Sequence, residues 1–379
     1  MKKILKNSLV QSILTSLICI CLGMFVGYLV LLMIEPSGAW DAISAVGKNF
    51  LGYSRELTRM KHLGTTLVKT APLIMCSLSV LFSYKVGLFN IGAAGQYVVG
   101  ACASLYAAIM WGWSWLPCML FAAVVAALWG ALAGFLKAYF NVNEVISGIM
   151  LNWIGLYITN MLLMAAKDPS SAYTYALKAK GQAAILPSLG LETFFSNNKY
   201  VGIAIPLAVV FAILIWVIME KTKFGYELKA TGCNKNAAKY CGMAEKRNII
   251  ISLAISGALA GIAAAFLYQT DIEQWQVSIS SVPGMGFNGI AAAFLGGLHP
   301  IGTVFASFFI QHISDGGAHV DLSIYCAQIS DLIAAIIIYL CGFVGFLKFA
   351  MNTVLAKTDK VEENVNAEPA VENKEGGKK

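Results

Sequence analysis

Charged residues are scarce in this sequence. Asp, Glu, Lys and Arg make up 12% of its 379 residues, whereas a soluble domain carries about 25%. Hydrophobic residues make up 58% of the chain, and the mean hydropathy is +0.70. So little polar surface excludes a soluble globular protein, and several apolar runs reach the roughly 20 residues that a spanning helix needs. The composition therefore predicts an all-α integral membrane protein.

Signatures of enzymes and of ATP binding are also missing. No His begins an H-E-x-x-H motif, and neither G-x-S-x-G nor the phosphate-binding G-x-x-x-x-G-K-[ST] occurs. The nine cysteines show no zinc-ligand spacing and no pattern of an extracellular disulfide framework. We therefore expect no catalysis, metal or other cofactor in this chain, and we interpret the cysteines as small core residues.

Positive charge exceeds negative charge, with a net charge of +7. Nucleic acid is one explanation, but Lys and Arg concentrate in loops beside apolar runs, where they set membrane orientation. No nucleic-acid partner is predicted. The lysines near the N-terminus precede the first apolar run and predict a cytoplasmic start. A small-residue stretch at 37–39 resembles a signal-peptide cleavage site, but a signal peptide has an apolar region of only about 7–15 residues.

Ten apolar runs are candidate spans. They lie at 9–34, 64–84, 89–110, 117–138, 145–165, 200–219, 249–269, 285–297, 301–314 and 322–347. An even number places both termini and the basic loop 220–248 in the cytoplasm, as the positive-inside rule requires. The basic residues of 35–62, placed outside, agree less well. We expect a transmembrane domain at 1–352 and a disordered cytoplasmic tail at 353–379.

Two of the segments placed outside the cell are long. Residues 35–62 contain enough Leu, Phe and Trp to predict an amphipathic helix lying on the membrane. Residues 166–199 predict a loop with short helices. Among the acidic residues, Asp331 lies well inside a span, where a proton relay or a hydrogen-bonded structural role explains it.

Two stretches place an amide and glycines in otherwise apolar surroundings. They read GLFNIGAAGQ at 87–96 and GMGFNGIAAA at 284–293. Irregular backbone inside a membrane is tolerated only where protein or a water-filled cavity surrounds it. Both stretches therefore predict interrupted helices, one in each of two pseudo-repeated halves. Close packing of helices explains the glycines as well.

The amides in these stretches have two interpretations. Asn90 and Asn288 either cap half-helices or line a polar pathway. Gln96 is expected to face inward and to offer both a donor and an acceptor to a solute. Phe287 adjoins Asn288 and belongs to the same candidate pathway.

A third polar stretch, FNVNEVISGIMLNWIG, occupies 140–155. Asn143 and Glu144 predict a helix start, because Asn caps the helix and Glu complements the positive end of its dipole. Deeper in the stretch, Asn152 lies beside Trp153. This pair suits either contact with a planar base in the pathway or a helix interface.

The predicted cytoplasmic loop reads KFGYELKATGCNKNAAKYCGMAEKRN at 223–248. Residues 234–240 are good helix formers between Gly232 and Gly242, so they predict a short helix. Such a helix can dock into a groove of a soluble partner. A simple basic connector is the alternative.

Four stretches resemble bacterial ABC importer permeases of the family that serves simple sugars, nucleosides and branched-chain amino acids. They are the loop 223–248, LFNIGAAGQ at 88–96, NEVISGIMLNWI at 143–154 and GFNGIAAAFLGGLHPIGTVFA at 286–306. NEVISGIMLNWI most resembles the nucleoside-uptake branch. The resemblance implies a subunit in the bacterial plasma membrane that takes up nucleosides by alternating access. A simple sugar such as ribose or galactose is the alternative solute, and a self-contained secondary transporter is a more remote one.

The resemblance also implies partners. A second permease subunit, identical or related, completes the pathway within the membrane lipid. A cytoplasmic ATPase supplies energy, so a phosphate-binding motif is not required here, and an extracellular binding lipoprotein delivers the solute. The residues that would fall on the ATPase-coupling helix are Gly232, Asn234, Ala237, Ala238 and Gly242.

Overall fold

The helices follow the apolar runs. The computed structural model describes residues 8–321, 323–326 and scattered positions between 332 and 353. Its α-helices are α1 Ser8–Ile34, α2 Ala39–Lys48, α3 Glu56–Lys85, α4 Ala93–Ile109, α5 Trp115–Phe140, α6 Glu144–Leu163, α7 Leu191–Phe194, α8 Ala204–Lys221, α9 Lys223–Cys233, α10 Lys235–Tyr240, α11 Glu245–Tyr268, α12 Met285–Leu295 and α13 Pro300–Gly316. In the described residues, β structure is limited to two isolated bridges. The all-α prediction is confirmed for this part of the chain.

Within the part of the chain that the structure describes, five helices are long and apolar enough to cross a membrane, namely α3, α5, α6, α8 and α11. Helices α4 and α12 are apolar but shorter, and α1 is apolar over Ile18–Ile34. Each predicted run from 9–34 to 301–314 contains a helix. The architecture is that of a multi-pass membrane protein, while ten crossings and two repeated halves remain predictions.

Some predictions fall on positions that the structure does not describe. Run 322–347 is described only at scattered positions, and Asp331 is not among them. The predicted tail 353–379 lies outside the described residues except for Thr353.

Helix α11 lies at the centre of the fold, packed against α3, α4 and α5. Its glycines permit this approach: a Cβ on Gly257 would lie 2.2 Å from the Ala126 carbonyl oxygen, and one on Gly261 would lie 2.4 Å from that of Ala122. In the most apolar 18-residue stretch of each helix, 83% of the residues are buried in α3 and 67% in α11, against 28% in α8. Helices α3 and α11 therefore form the core, and α8 leaves its apolar surface to the surroundings.

The segments predicted to lie outside the cell have the expected local structure. Residues 166–199 form a loop with a 3-10 turn at Gln182–Ala184 and the single turn of α7. Residues 35–62 contain α2, whose apolar face is buried. Gly316 of α13 packs directly on the backbone of Val46. Part of the apolar surface that was predicted to lie on lipid is therefore covered by protein.

The two ends of the molecule are defined by contacts between loops and helix termini. At the α9–α10 end, the Lys229 ammonium lies 2.9 Å from the Glu220 carboxylate, and His299 lies near Glu220. At the opposite end, the Thr174 amide donates to the Trp275 carbonyl at 2.9 Å, and that of Leu186 to the Gln269 carbonyl at 3.0 Å.

Candidate solute pathway and coupling loop

The first break, residues 86–92, separates α3 from α4. Gly87 has φ +78°, a left-handed conformation that glycine adopts without a steric penalty. The end of α9 lies against this turn. A Cβ on Gly232 would lie 2.5 Å from the carbonyl carbon of Val86, and one on Gly87 would lie 2.9 Å from the carbonyl oxygen of Gly232. The predicted coupling segment therefore touches the backbone of the first break.

Asn90 does not cap α4, so the capping interpretation is wrong. The N-cap residue is Gly92, with no side-chain hydrogen bond at that position. The Asn90 side-chain amide instead donates to Gln96 Oε1 at 2.9 Å and to Ser256 Oγ of α11 at 2.7 Å. Asn90 and Gln96 are only 3% and 1% exposed. They form a buried network that attaches the first break to α11.

The amide that caps α4 comes from α6. Asn152 Oδ1 accepts from the Gly95 backbone N–H at 2.8 Å, and Asn152 Nδ2 donates to the Ile91 carbonyl at 3.1 Å. Gly95 is the third residue of α4, where a freed N–H requires an acceptor. Asn152 is 2% exposed, whereas Trp153 is 43% exposed and stacks on Tyr157. The structure therefore does not bring Asn152 and Trp153 together on one surface.

The predicted start of α6 is confirmed. Asn143 Oδ1 accepts from the backbone N–H of Val145 at 2.8 Å and that of Ile146 at 3.4 Å. The Glu144 carboxylate lies 2.7 Å from the Lys137 ammonium.

The second stretch, residues 284–289, does not interrupt a helix, so that prediction is wrong: Gly284 is the N-cap residue of α12, and residues 285–289 are its first turn, after the loop 269–284. We keep the name second break for this helix start. Asn288 lies inside this turn and Gly284 is the N-cap residue, so capping by Asn288 is also wrong. Phe287 is 40% exposed and Asn288 is half-buried. Within the described residues, the Asn288 side chain makes no hydrogen bond.

The two breaks touch each other. A Cβ on Gly286 would lie 2.4 Å from Ala94 Cα, so the first turns of α4 and α12 are in direct contact. Gly289 packs in the same way on Cys76, at 2.7 Å from its Cβ. Cys76 lies about 13 Å along α3 from its end at Lys85. Two positive helix ends therefore meet well inside the fold, an arrangement that favours electron-rich polar groups.

A polar stripe on α11 connects the α9–α10 end with the first break. Asn248, Ser252 and Ser256 are spaced four residues apart, on one face of the helix. Asn248 Nδ2 donates to Thr231 Oγ1 at 2.9 Å, next to Gly232, and Ser256 bonds to Asn90. Among the described residues, Asn248 Oδ1 and Ser252 Oγ are buried without a partner. Leaving buried polar groups without a partner is costly.

The predicted short helix 234–240 is present as α10. Asn234 caps it, because Asn234 Oδ1 accepts from the backbone N–H of Asn236 at 3.0 Å and that of Ala237 at 3.1 Å. Helix α9 before it was not predicted. Ala237 is exposed and Ala238 is only 3% exposed. Ala238 therefore faces this chain and not a partner.

A groove lies beside α10 at the start of α11. Its volume is about 450 Å³, and its lining is Lys223, Tyr226, Glu227, Cys241, Gly242, Met243, Ala244 and Arg247. Gly242 turns the chain with φ +80° and has open space around it. Tyr226 and Tyr240 are 66% and 93% exposed. Exposed aromatic side chains beside a groove are typical of a protein interface.

Sequence reasoning missed a charged cluster at the opposite end, which we call the outer cluster. Lys69 Nζ of α3 lies 3.6 Å from Asp315 Oδ1 of α13 and 3.9 Å from Glu273 Oε1 of the loop 269–284. Lys69 is the sole charged residue in the apolar run 64–84. An ionisable residue within a span is itself a signal of function, and this signal was visible in the sequence.

A family model described as "Branched-chain amino acid transport system / permease component" matches residues 63–342. The chain belongs to this permease family. Both breaks, α9, α10 and the outer cluster lie within the matched region. The geometry described above is therefore the geometry of a transport permease.

Known proteins similar to this permease include two nucleoside transport subunits. The guanosine ABC transporter permease protein NupP of Bacillus subtilis is 33% identical over a region that covers 91% of this chain and 97% of NupP. The nucleoside ABC transporter permease protein NupB of Lactococcus lactis is 28% identical over 94% of this chain and 96% of NupB. The glucose ABC transporter permease protein TsgB13 of Haloferax volcanii is 29% identical over 79% of this chain and 80% of TsgB13. No solved structure matches the permease.

Proposed function

We propose that this chain is the permease subunit of an ABC importer that takes up nucleosides. The observation that carries the proposal is the similarity to the guanosine permease NupP, which extends over nearly the whole of both chains. A separate ATPase hydrolyses ATP at the cytoplasmic face. An extracellular binding lipoprotein delivers the solute, and a second permease subunit completes the pathway.

A simple sugar is the second candidate solute. The glucose permease TsgB13 is similar over a smaller share of this chain than either nucleoside permease. Both candidates carry hydroxyl groups that suit the free amide of Asn288 and the helix ends beside it. A nucleoside additionally brings a planar base, for which exposed Phe287 offers a stacking surface.

The two breaks have different parts in the proposed transport pathway. Phe287 and Asn288 line it, because their side chains are open in this structure. Asn90, Gln96 and Asn152 hold the first break in shape, because their amides bond to one another or to neighbouring helices. Each break lies at the start of a short apolar helix, α4 or α12, and this supports two halves built on a common plan.

The coupling route begins at the α9–α10 end, which we place in the cytoplasm together with both termini. ATP binding closes the ATPase. The ATPase contacts the groove and exposed Ala237, so its closing movement displaces α10. Helix α9 transmits this movement, because Gly232 rests on the first break. Helices α3 and α4 then tilt about the break, and access to the pathway alternates between the two sides of the membrane.

Reconstitution tests the proposal. The chain is purified with its ATPase, second permease and binding lipoprotein and placed in proteoliposomes. We expect ATP-dependent accumulation of radiolabelled guanosine, and no accumulation when the ATPase is omitted. Accumulation of glucose or ribose without guanosine would favour the sugar alternative. Uphill uptake by this chain alone would contradict both.

A further inference from the structure

The outer cluster combines one cation with two carboxylates from separate elements. Lys69 lies on α3, Asp315 near the end of α13 and Glu273 in the loop that precedes α12. Their side chains are 29%, 17% and 46% exposed, respectively. The cluster is therefore sheltered by the fold but still open to a small molecule.

Much of the hydrogen-bonding capacity in the outer cluster is unused. The Lys69 ammonium lies 3.6 Å and 3.9 Å from its two carboxylate partners, longer than the roughly 2.7–3.2 Å of a direct hydrogen bond. Asp315 Oδ1 accepts from Gln311 Nε2 at 3.0 Å. Asp315 Oδ2 is buried and has no partner among the described residues. The cluster thus offers ammonium donors and a carboxylate acceptor to a third group.

The outer cluster and the second break both lie against α3. Lys69 precedes Cys76 on α3 by seven residues, which corresponds to about 10 Å along the helix. Cys76 is the residue on which Gly289 packs. A solute that enters from the opposite end would pass the cluster about two helical turns before Phe287 and Asn288.

The mixed charge of the cluster restricts the chemistry of its ligand. An anionic solute would meet two carboxylates, and a cationic solute would meet the Lys69 ammonium. A neutral molecule with adjacent hydroxyls avoids both conflicts, since each hydroxyl donates one hydrogen bond and accepts others. Carboxylates recognise ribose hydroxyls in this way in dinucleotide-binding proteins.

We propose that Lys69, Glu273 and Asp315 form a recognition site for the vicinal hydroxyls of the solute's ribose. This inference rests on the proposed nucleoside importer. The Asp315 carboxylate accepts from one hydroxyl once its side chain turns Oδ2 out of its buried position, and Lys69 donates to the neighbouring hydroxyl oxygen. Glu273, the most exposed of the three, closes the site from the loop side.

The test compares uptake of guanosine and 2′,3′-dideoxyguanosine by the complete complex in proteoliposomes. The affinity of the purified binding lipoprotein for each compound is measured separately. Any preference for guanosine that the lipoprotein itself shows can then be subtracted from the preference of the complete complex. Asp315→Asn and Lys69→Gln are the main variants, and Glu273→Gln is a milder one because that side chain is more exposed. Asp168→Asn is the matched control, since its carboxylate bonds within its own turn to Ser170 at the same end of the molecule.

We expect the Asp315 and Lys69 variants to lower kcat/KM for guanosine about tenfold, the size of one lost charge-assisted hydrogen bond. Uptake of the dideoxy compound should change little, and the control should behave as wild type. If a main variant fails to assemble, the Glu273 variant must still lower the ratio of guanosine to dideoxyguanosine uptake. An equal loss for both compounds would overturn the proposal. If uptake of both compounds falls equally and the permease also binds the lipoprotein more weakly, the cluster would instead be a docking site for the lipoprotein, which likewise overturns the proposal. Absence of guanosine uptake by the wild-type complex would reject the proposed function itself.

Discussion

The first and second breaks meet at Ala94 and Gly286, yet they are stabilised in different ways. In the first break, amides bond across helices, and Asn90 and Asn152 are almost fully buried. In the second break, Asn288 makes no side-chain hydrogen bond within the described residues, and Phe287 is exposed. A polar, glycine-rich helix start inside a membrane protein can therefore be a structural joint or a contact surface. The partners of its polar groups distinguish the two.

The largest effect is expected where the first break is most tightly packed. A Cβ on Gly95 would lie 2.6 Å from Asn152 Oδ1 and 2.7 Å from Asn152 Cα. Gly95→Ala should therefore push α6 away, break the cap on α4 and destabilise the fold by about 1–3 kcal/mol or more, as overpacking does. Thermal unfolding of the purified permease in detergent measures this loss.

Gly284→Ala is the matched control in the second break, because nothing lies within 4 Å of a Cβ at that position. Its unfolding temperature should equal that of the wild type. Similar unfolding temperatures for both variants would contradict the distinction between a packed joint and an open surface.

Removing the side-chain amide of Asn90 should mainly lower the stability of the permease, whereas removing that of Asn288 should mainly lower transport. Asn90→Leu leaves Gln96 and Ser256 without their partner in a buried site, which costs about 1–3 kcal/mol. Asn288→Leu removes an amide that has no partner among the described residues, so stability should hold while guanosine uptake falls. Unfolding temperature and initial uptake rate, measured on the same preparations, test both statements. Unchanged uptake by Asn288→Leu would exclude that amide from the pathway.

Much of the fold could be predicted from the sequence, because its signals are local. Apolar runs located the helices from 9–34 to 301–314, Asn143 identified the start of α6 through short-range capping, and helix formers between Gly232 and Gly242 located α10. What the sequence did not show are partners distant along the chain. The Asn90–Ser256 bond joins residues 166 positions apart.

The functions of the amides were harder to predict for the same reason. Asn152 was identified as polar and buried in a span, but its role as the cap of α4 depends on how α6 packs. Lys69 was visible as a lone charge in an apolar run, whereas Glu273 and Asp315 come from loops and helix ends more than two hundred residues away. Periodicity shows which residues are buried, and only tertiary packing shows what they contact.

The coupling segment is attached to the first break, so a substitution at Gly232 should affect both stability and transport. A Cβ on Gly232 would lie 2.5 Å from the carbonyl carbon of Val86, so α9 must move away from the first break to accommodate it. Gly232→Ala should therefore keep the ATPase bound but reduce guanosine uptake per ATP hydrolysed. The measurement is ATPase activity and uptake in the same proteoliposomes.

Two alanines of α10 provide the comparison for this coupling prediction. Ala237→Glu places a charge on the exposed face and should release the ATPase from the permease, which co-purification detects. Ala238→Glu would bury a charge against this chain, so its damage should appear first as instability. A normal ratio of uptake to ATP hydrolysis in Gly232→Ala would contradict transmission through the first break.

The smallest expected effect is the pH dependence of the α12–α13 turn. Burial, followed by the charge of Lys85, lowers the pKa of His299, and Glu220 partly opposes this shift. The folded protein therefore favours neutral His299. Its contribution to stability is full above the ordinary histidine pKa of about 6.5, and is lost as the pH falls through the folded-state pKa.

Amides and hydroxyls stabilise the first break, and they do not titrate in this range. Acid should therefore loosen the turn that follows α12 and leave the packing of Asn90 and Asn152 intact. His299→Gln should reduce the small fall in unfolding temperature between about pH 7.5 and pH 5.5, on either side of the ordinary histidine pKa. Lys85→Gln should reduce it less, because burial is the larger cause. An unchanged pH dependence in His299→Gln would assign the acid sensitivity to another group.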